Sequence, residues 1–386
     1  MFTDSENATF IKHSAGLTVA ECARAGAAVG AALGRGRAGV ACSDDEYSRA
    51  CADAVCAGLR ASGVTAWKLG ESFEARLSFL VPFASLNAGI FVCAQEGTVS
   101  LFGENGLSVS AAVGRRSSEL ISSDLSPAPE CGRLFDMSAL NMLYRDELMR
   151  SVPYGVTDCA VLSSNPLISA LADDCMRTTG NERTLTFRIN RRGTRLSAYS
   201  ENIGVVPFVK LIAICGKYEL ESGRDISVPF DAPSFLDELA QSYGRTAYRY
   251  LSAPSDGSDN VARRLAARQF WSRDALFTAA KLMSIIRETD SDFDSLYSQL
   301  PPFFIYSTVA SLDAPPGYLD EFEGESFSMS RDGGNGLVLL EKRGRAHISP
   351  LGGGRMRLTA QSADEETARE FCADIELLLS RKLNLN

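Results

Sequence analysis

Residues 39–94 run GVACSDDEYSRACADAVCAGLRASGVTAWKLGESFEARLSFLVPFASLNAGIFVCA, and the order of patterns in this stretch decides the architecture. A short apolar run, 39–42, precedes Ser43 and Glu46, which are spaced as a capping box for a helix that runs to about Ala61 and stops at Gly63. Residues 64–69 predict a strand, 74–84 a helix and 88–94 a further strand. Strands alternating with helices of this length imply crossover connections, and hence a largely parallel sheet with helices on both faces. Upstream, LTVAECARAGAAVGAALG (17–34) has apolar positions at helical spacing behind a second capping box, Thr18 with Glu21. The first 112 residues therefore predict one α/β unit.

Further along, the polar stretch 117–132 with Pro127 and Pro129 reads as a linker. A second alternation follows, with a helix at 138–150, strands at 159–162 and 185–189, and a helix at 207–217. After Gly223 a third begins with a strand at 225–230 and a helix at 234–243, and closes with a long helix at 274–288 started by Ser272 or Arg273. Pro301, Pro302, Pro315, Pro316 and Gly317 mark its exit. The remainder changes grain: strands at 327–330, 336–340, 345–349 and 356–360, then a helix behind Ser362 and Glu365, predict an α+β unit with a small antiparallel sheet.

With 386 residues, 45% hydrophobic and 23% charged, the chain has the balance of a globular protein with several cores. A net charge of −9 argues against a nucleic-acid or anionic-membrane partner held by global charge. The richest apolar stretch, 205–215, is short and contains Lys210, and residues 1–10 carry Asp4 and Glu6 without a basic start, so a cytoplasmic location is expected. The ten cysteines form no CxxC pair and read as buried free thiols. Two histidines, His13 and His347, supply little for zinc or imidazole chemistry.

The order of units and several strings, among them 17–33, ACADAVCAGLRASGVTAWKLGE (50–71), NAGIFVCAQEG (87–97), LFGENGLSV (101–109), SDFDSLYSQLPPFF (291–304) and the tail 345–378, resemble the α-D-phosphohexomutases, the phosphoglucomutase and phosphomannomutase family. The resemblance implies three α/β/α sandwich domains with mixed sheets, 1–116, 117–223 and 224–312, plus a C-terminal α+β domain, 313–386. It also implies a cleft where a phosphoserine loop, a magnesium loop of three aspartates, a sugar loop with paired glutamates and a phosphate loop converge.

Each of these loops departs from the family pattern. Gln95 takes the phosphoserine's position and Glu96 the histidine's; Cys93, Thr98 and Ser100 are the neighbouring thiol and hydroxyls. The aspartate positions of the magnesium loop become Asn190, Arg192 and Thr194, a set that suits no hard cation, so no cofactor is expected. Arg191, Arg192 and Arg195 form either an anion-binding turn or a solvated basic loop. The sugar loop falls on 263–272, without paired glutamates; Trp271 there either stacks on a ligand or packs. The phosphate loop becomes Gly352, Gly353 and Gly354 ahead of Arg355 and Arg357, which either cradles a phosphate or is a flexible turn. Acidic residues 44–46 stand where the family has an arginine turn and either repel a phosphosugar or serve as first-turn helix residues. The expected function is that of a catalytically degenerate homologue, with no catalytic residue, that binds a phosphosugar, another small anion or a protein. The alternatives are a divergent active mutase with a displaced nucleophile and a structural partner of an active homologue.

Overall fold

Several helices in this chain start where a short polar side chain accepts from an orphan N–H. The computed structural model describes residues 2–4, 9–11, 16–153, 159–176, 185–252, 254–312, 318–320, 328–332, 336–352 and 355–383. Thr18 opens α1 (Val19–Leu33): its hydroxyl accepts from the Glu21 N–H at 3.2 Å, and the Glu21 carboxylate accepts from the Thr18 N–H at 2.9 Å, the capping box that the sequence predicts. For α2 (Glu46–Ala61) the cap is Asp45, whose Oδ1 accepts from Ser48 N at 2.8 Å. Ser43, expected in that role, donates its hydroxyl to Asp45 Oδ2 at 2.8 Å. A carboxylate is the stronger acceptor at the positive end of a helix, so the serine supports the cap instead of forming it.

The first sheet gathers β1 (Phe2–Asp4), β2 (Thr9–Ile11), β3 (Arg37–Cys42), β4 (Thr65–Glu71), β5 (Ala88–Cys93), β6 (Thr98–Gly103) and β7 (Leu134–Asp136) in the order β1-β2-β6-β5-β3-β4-β7. Its parallel part is β5-β3-β4-β7; β6, β2 and β1 extend it antiparallel. Helix α3 (Glu74–Phe83) links β4 to β5, and α4 (Ala111–Leu120) packs beside α1. α4 takes in residues expected as linker, because the Ser117 and Ser118 hydroxyls bond back to the Val113 and Gly114 carbonyls while Leu120 joins the apolar core.

Beyond it lie α5 (Asn141–Ser151), β8 (Cys159–Ser163), α6 (Pro166–Cys175), β9 (Leu185–Ile189), β10 (Leu196–Ser200), β11 (Gly204–Val206) and α7 (Phe208–Glu221), with a mixed sheet ordered β11-β10-β9-β8. A parallel pair, β12 (Ile226–Pro229) and β13 (Ala247–Tyr250), packs against α7, α8 (Phe235–Ser242) and α9 (Asn260–Ala266), and α10 (Ala275–Glu288) and α11 (Phe293–Ser298) lie against α7. The C-terminal sheet is antiparallel throughout, β14-β18-β17-β16-β15, built from β14 (Phe304–Ser311), β15 (Ser328–Arg331), β16 (Leu337–Glu341), β17 (Gly344–Gly352) and β18 (Arg355–Ser362), with α12 (Glu365–Leu383) on one face. Asp364, not the expected Ser362, bonds the first turn of α12, accepting from Thr367 N at 2.8 Å. No disulfide joins any of the ten cysteines, and all but Cys131 and Cys175 are buried. No helix among the described residues is long and apolar enough to cross a membrane.

One aromatic hub joins α3, α5 and α10. Tyr144 of α5 is wholly buried, edge-on to Phe73, Phe79 and Phe277 at 5.2–5.5 Å between ring centroids. Its hydroxyl donates to both carboxylate oxygens of Asp274 at 2.9 Å. Asp274, not Ser272 or Arg273, caps α10 through Leu276 N and Phe277 N at 3.0 and 3.2 Å. Burial lifts the Asp274 carboxyl to about 7 against the pull of these hydrogen bonds. Arg273 reaches the other way and donates to the Gly106 carbonyl at 2.8 Å, and Arg263 to the Ser108 carbonyl at 2.7 Å.

Candidate functional site

The turn between β9 and β10, residues 190–195, is built from its own side chains. The Asn190 Oδ1 accepts from Thr194 N at 2.9 Å and Arg195 N at 3.1 Å, closing the loop locally. Gly193 takes φ +72°, and a Cβ there would lie 2.6 Å from the Phe73 ring, so only glycine fits. Three successive carbonyls then bind the turn to three surroundings. Arg191 O accepts from Asn165 Nδ2 at 2.9 Å; Arg192 O accepts from Ala75 N at 3.1 Å, in the first turn of α3; Gly193 O accepts from Ala275 N at 2.8 Å, at the start of α10. Carbonyl oxygens suit the positive ends of two helices, which fixes where the neighbouring side chains project.

Those side chains meet the turn between β5 and β6. A narrow pocket of about 260 Å³, counting its open mouth, is lined by Ser43, Glu74, Phe91, Cys93, Glu96, Asn165, Arg191 and Arg192. The Arg192 guanidinium bridges two carboxylates of the first sheet's unit. Its Nε and Nη2 donate to Glu96 Oε2, the former at 3.1 Å, and its Nη1 stands 3.7 Å from Glu74 Oε1. Arg191 Nη2 stands 3.6 Å from Asp44 Oδ1. The Glu74 side chain is only 8% exposed and also accepts from the Ser100 hydroxyl at 2.8 Å. Burial raises the Glu74 carboxyl above its ordinary value, with Arg192 and Ser100 pulling it down. Glu74 and Glu96 hold the Arg192 charge against burial.

The serine-loop and magnesium-loop positions inferred from the sequence thus come together, but the groups they bring are a guanidinium and carboxylates already paired. Gln95 is exposed at its turn and does not line the pocket. Burial raises the Cys93 thiol at the pocket wall, and the Ser100 hydroxyl is buried and donates to Glu74. Glu74 was overlooked in the sequence because it reads as an ordinary first-turn helix acid; its role depends on a turn more than a hundred residues away.

The other expected ligand residues lie elsewhere. Arg195 is exposed, its guanidinium 5.9 Å from the Phe208 ring centroid, and does not line the pocket. Trp271 is buried in the core, so it packs. Gly352 ends β17 and Arg355 and Arg357 begin β18, opposite Ser311 and Val309 of β14; Gly353 and Gly354 lie outside the described residues. His347 bonds Asp332 Oδ2 through Nε2 at 2.7 Å and packs on Phe230, while His13 lies outside the described residues.

No family model matches the sequence, and no curated protein matches it. Among solved structures, the chain is similar to a phosphoglucomutase/phosphomannomutase family protein from Burkholderia thailandensis, with TM-score 0.72, 12% identity, and 98% of this chain and 96% of that one covered. The fold is that of the phosphohexomutases. A putative phosphomannomutase from Thermus thermophilus matches with TM-score 0.62 and 14% identity over 99% of this chain and 98% of that one. Parafusin, a phosphoglucomutase from Paramecium in its open form, matches with TM-score 0.60 and 8% identity over 99% and 98%.

On this phosphohexomutase fold the residues at the expected magnesium position do not fit the ion. A hard divalent cation needs several oxygen ligands, and the position offers a guanidinium that repels it. No group of three or more His, Cys, Asp or Glu among the described residues is placed to hold a metal.

Proposed function

We propose that this chain is a catalytically silent, divergent phosphohexomutase of carbohydrate metabolism that acts by binding a phosphosugar, another small anion or a protein partner. The observation that carries the reading is Arg192, bonded to Glu96 and facing Glu74 where phosphoryl transfer would need a nucleophile and a cation. Arg191 and Arg192 face carboxylates, so the anion reading rests on the sequence of 352–357, three glycines followed by Arg355 and Arg357, and it calls for no cofactor. The alternative, a divergent mutase with a displaced nucleophile, would need Cys93 or Ser100 released from burial.

Intact mass before and after incubation with glucose 1,6-bisphosphate and magnesium tests the reading directly. The mass is expected to stay constant; a gain of one phosphoryl group, or conversion of hexose 1-phosphate to 6-phosphate, would overturn it. A thermal-shift panel of hexose phosphates, with and without magnesium, then separates the modes of action. A magnesium-independent shift supports small-anion binding, whereas an unmoved melt across the panel favours a protein partner.

A further inference from the structure

We propose that the Arg192 guanidinium is a tethered replacement for a divalent cation, locking the first two α/β units together without metal. The inference rests on the silent reading of the same site. Glu74 begins α3 and is almost fully enclosed, and Phe91 forms an apolar wall of the pocket, so its carboxylate cannot stand there unneutralised. Glu96 comes from the β5–β6 turn of the same unit, and the positive charge arrives from the β9–β10 turn of the next. The Arg192 carbonyl is fixed on Ala75 N, one residue from Glu74, which aims the side chain between the two glutamates. The pocket-lining charges, two carboxylates and two guanidinium groups, cancel. A cation is needed at this junction, and the chain supplies its own.

The test exchanges the tethered cation for a free one. R192D would place a third carboxylate beside Glu74 and Glu96, and thermal melts are compared in EDTA and in excess MgCl2 or MnCl2. Wild type is expected to melt alike in both. R192D is expected to melt lower in EDTA and to recover with the divalent cation, by a factor of about 10 in the folding equilibrium when the free ion is at ten times its dissociation constant. E74Q/R192D should lose that recovery. A wild-type melt that rises with the cation, an R192D melt that ignores it, or equal recovery in the double variant would each overturn the lock. If R192D does not fold, R192M and E74Q/R192M decide. R192M should melt lower than wild type and the added E74Q should restore part of the loss; an R192M melt equal to wild type would overturn the proposal. Phosphoryl transfer by the wild type would refute the silent reading instead, and these melts do not measure it.

Discussion

Replacing Gly193 with alanine strikes the turn that positions Arg191 and Arg192, and the structure separates the cost into two parts. The backbone part follows from φ +72°, where a residue with a Cβ is strained by about 1–2 kcal/mol. The packing part follows from the new Cβ, 2.6 Å from Phe73 Cδ2 and 3.3 Å from Ala75 Cβ. Phe73 cannot swing away, being 1% exposed and edge-on to Tyr144 at 5.5 Å, so overpacking adds about 1–3 kcal/mol. G193A should therefore lose roughly 2–5 kcal/mol in urea unfolding. Gly204 supplies the control: its φ is +82° but nothing lies within 4 Å of its Cβ position. G204A should show the backbone part alone, about 1–2 kcal/mol. Equal losses in the two variants would refute the assignment of Gly193 to a contact with the hub.

The remaining predictions concern the groups that bind the units together. Asp274, raised to about 7 when folded against 3.8 when unfolded, binds its proton more tightly in the native state, so its contribution to stability is full below about pH 4 and is lost as pH rises through 7. Between pH 5 and pH 8 the wild type should lose about 3 kcal/mol relative to D274N, measured by denaturant titration at each pH; a pH-independent difference would count against the buried carboxyl. N165A removes the cap of α6 and the donor to Arg191 O, for an expected loss of about 1–3 kcal/mol, with a normal unfolding midpoint as the contrary result. R273M removes the donor to the Ala266 carbonyl and one of the two donors to the Gly106 carbonyl, which keeps the Ser78 hydroxyl, and should lower the midpoint by more than R268M, whose side chain is exposed; equal midpoints would show that Arg273 ties nothing together.

What the residues alone determined is largely local. Thr18 and Glu21 satisfy each other across one helical turn, so α1 is readable wherever it sits, and the alternation of apolar runs in 39–94 permits little except a parallel sheet with crossover helices. Short elements escaped this reading: α6, α9, β10, β11, β13 and β14 owe their order to neighbours, as β14 does to β18. At three helix starts an aspartate provides the cap where a serine or arginine was expected, because choosing among adjacent polar residues depends on which one the fold points at the N–H groups.

The candidate site divides the same way. The sequence displayed Gln95, Arg191 and Arg192 and excluded an aspartate cluster, since residue identity alone decides what can ligate a cation or carry a phosphoryl group. It could not show that Arg192 faces Glu74 and Glu96, or that Arg195 points elsewhere, because these pairings join turns about a hundred residues apart. Chemistry at a position is written in the residue; whether a charge is free or already answered is decided by the partner that tertiary folding brings to it.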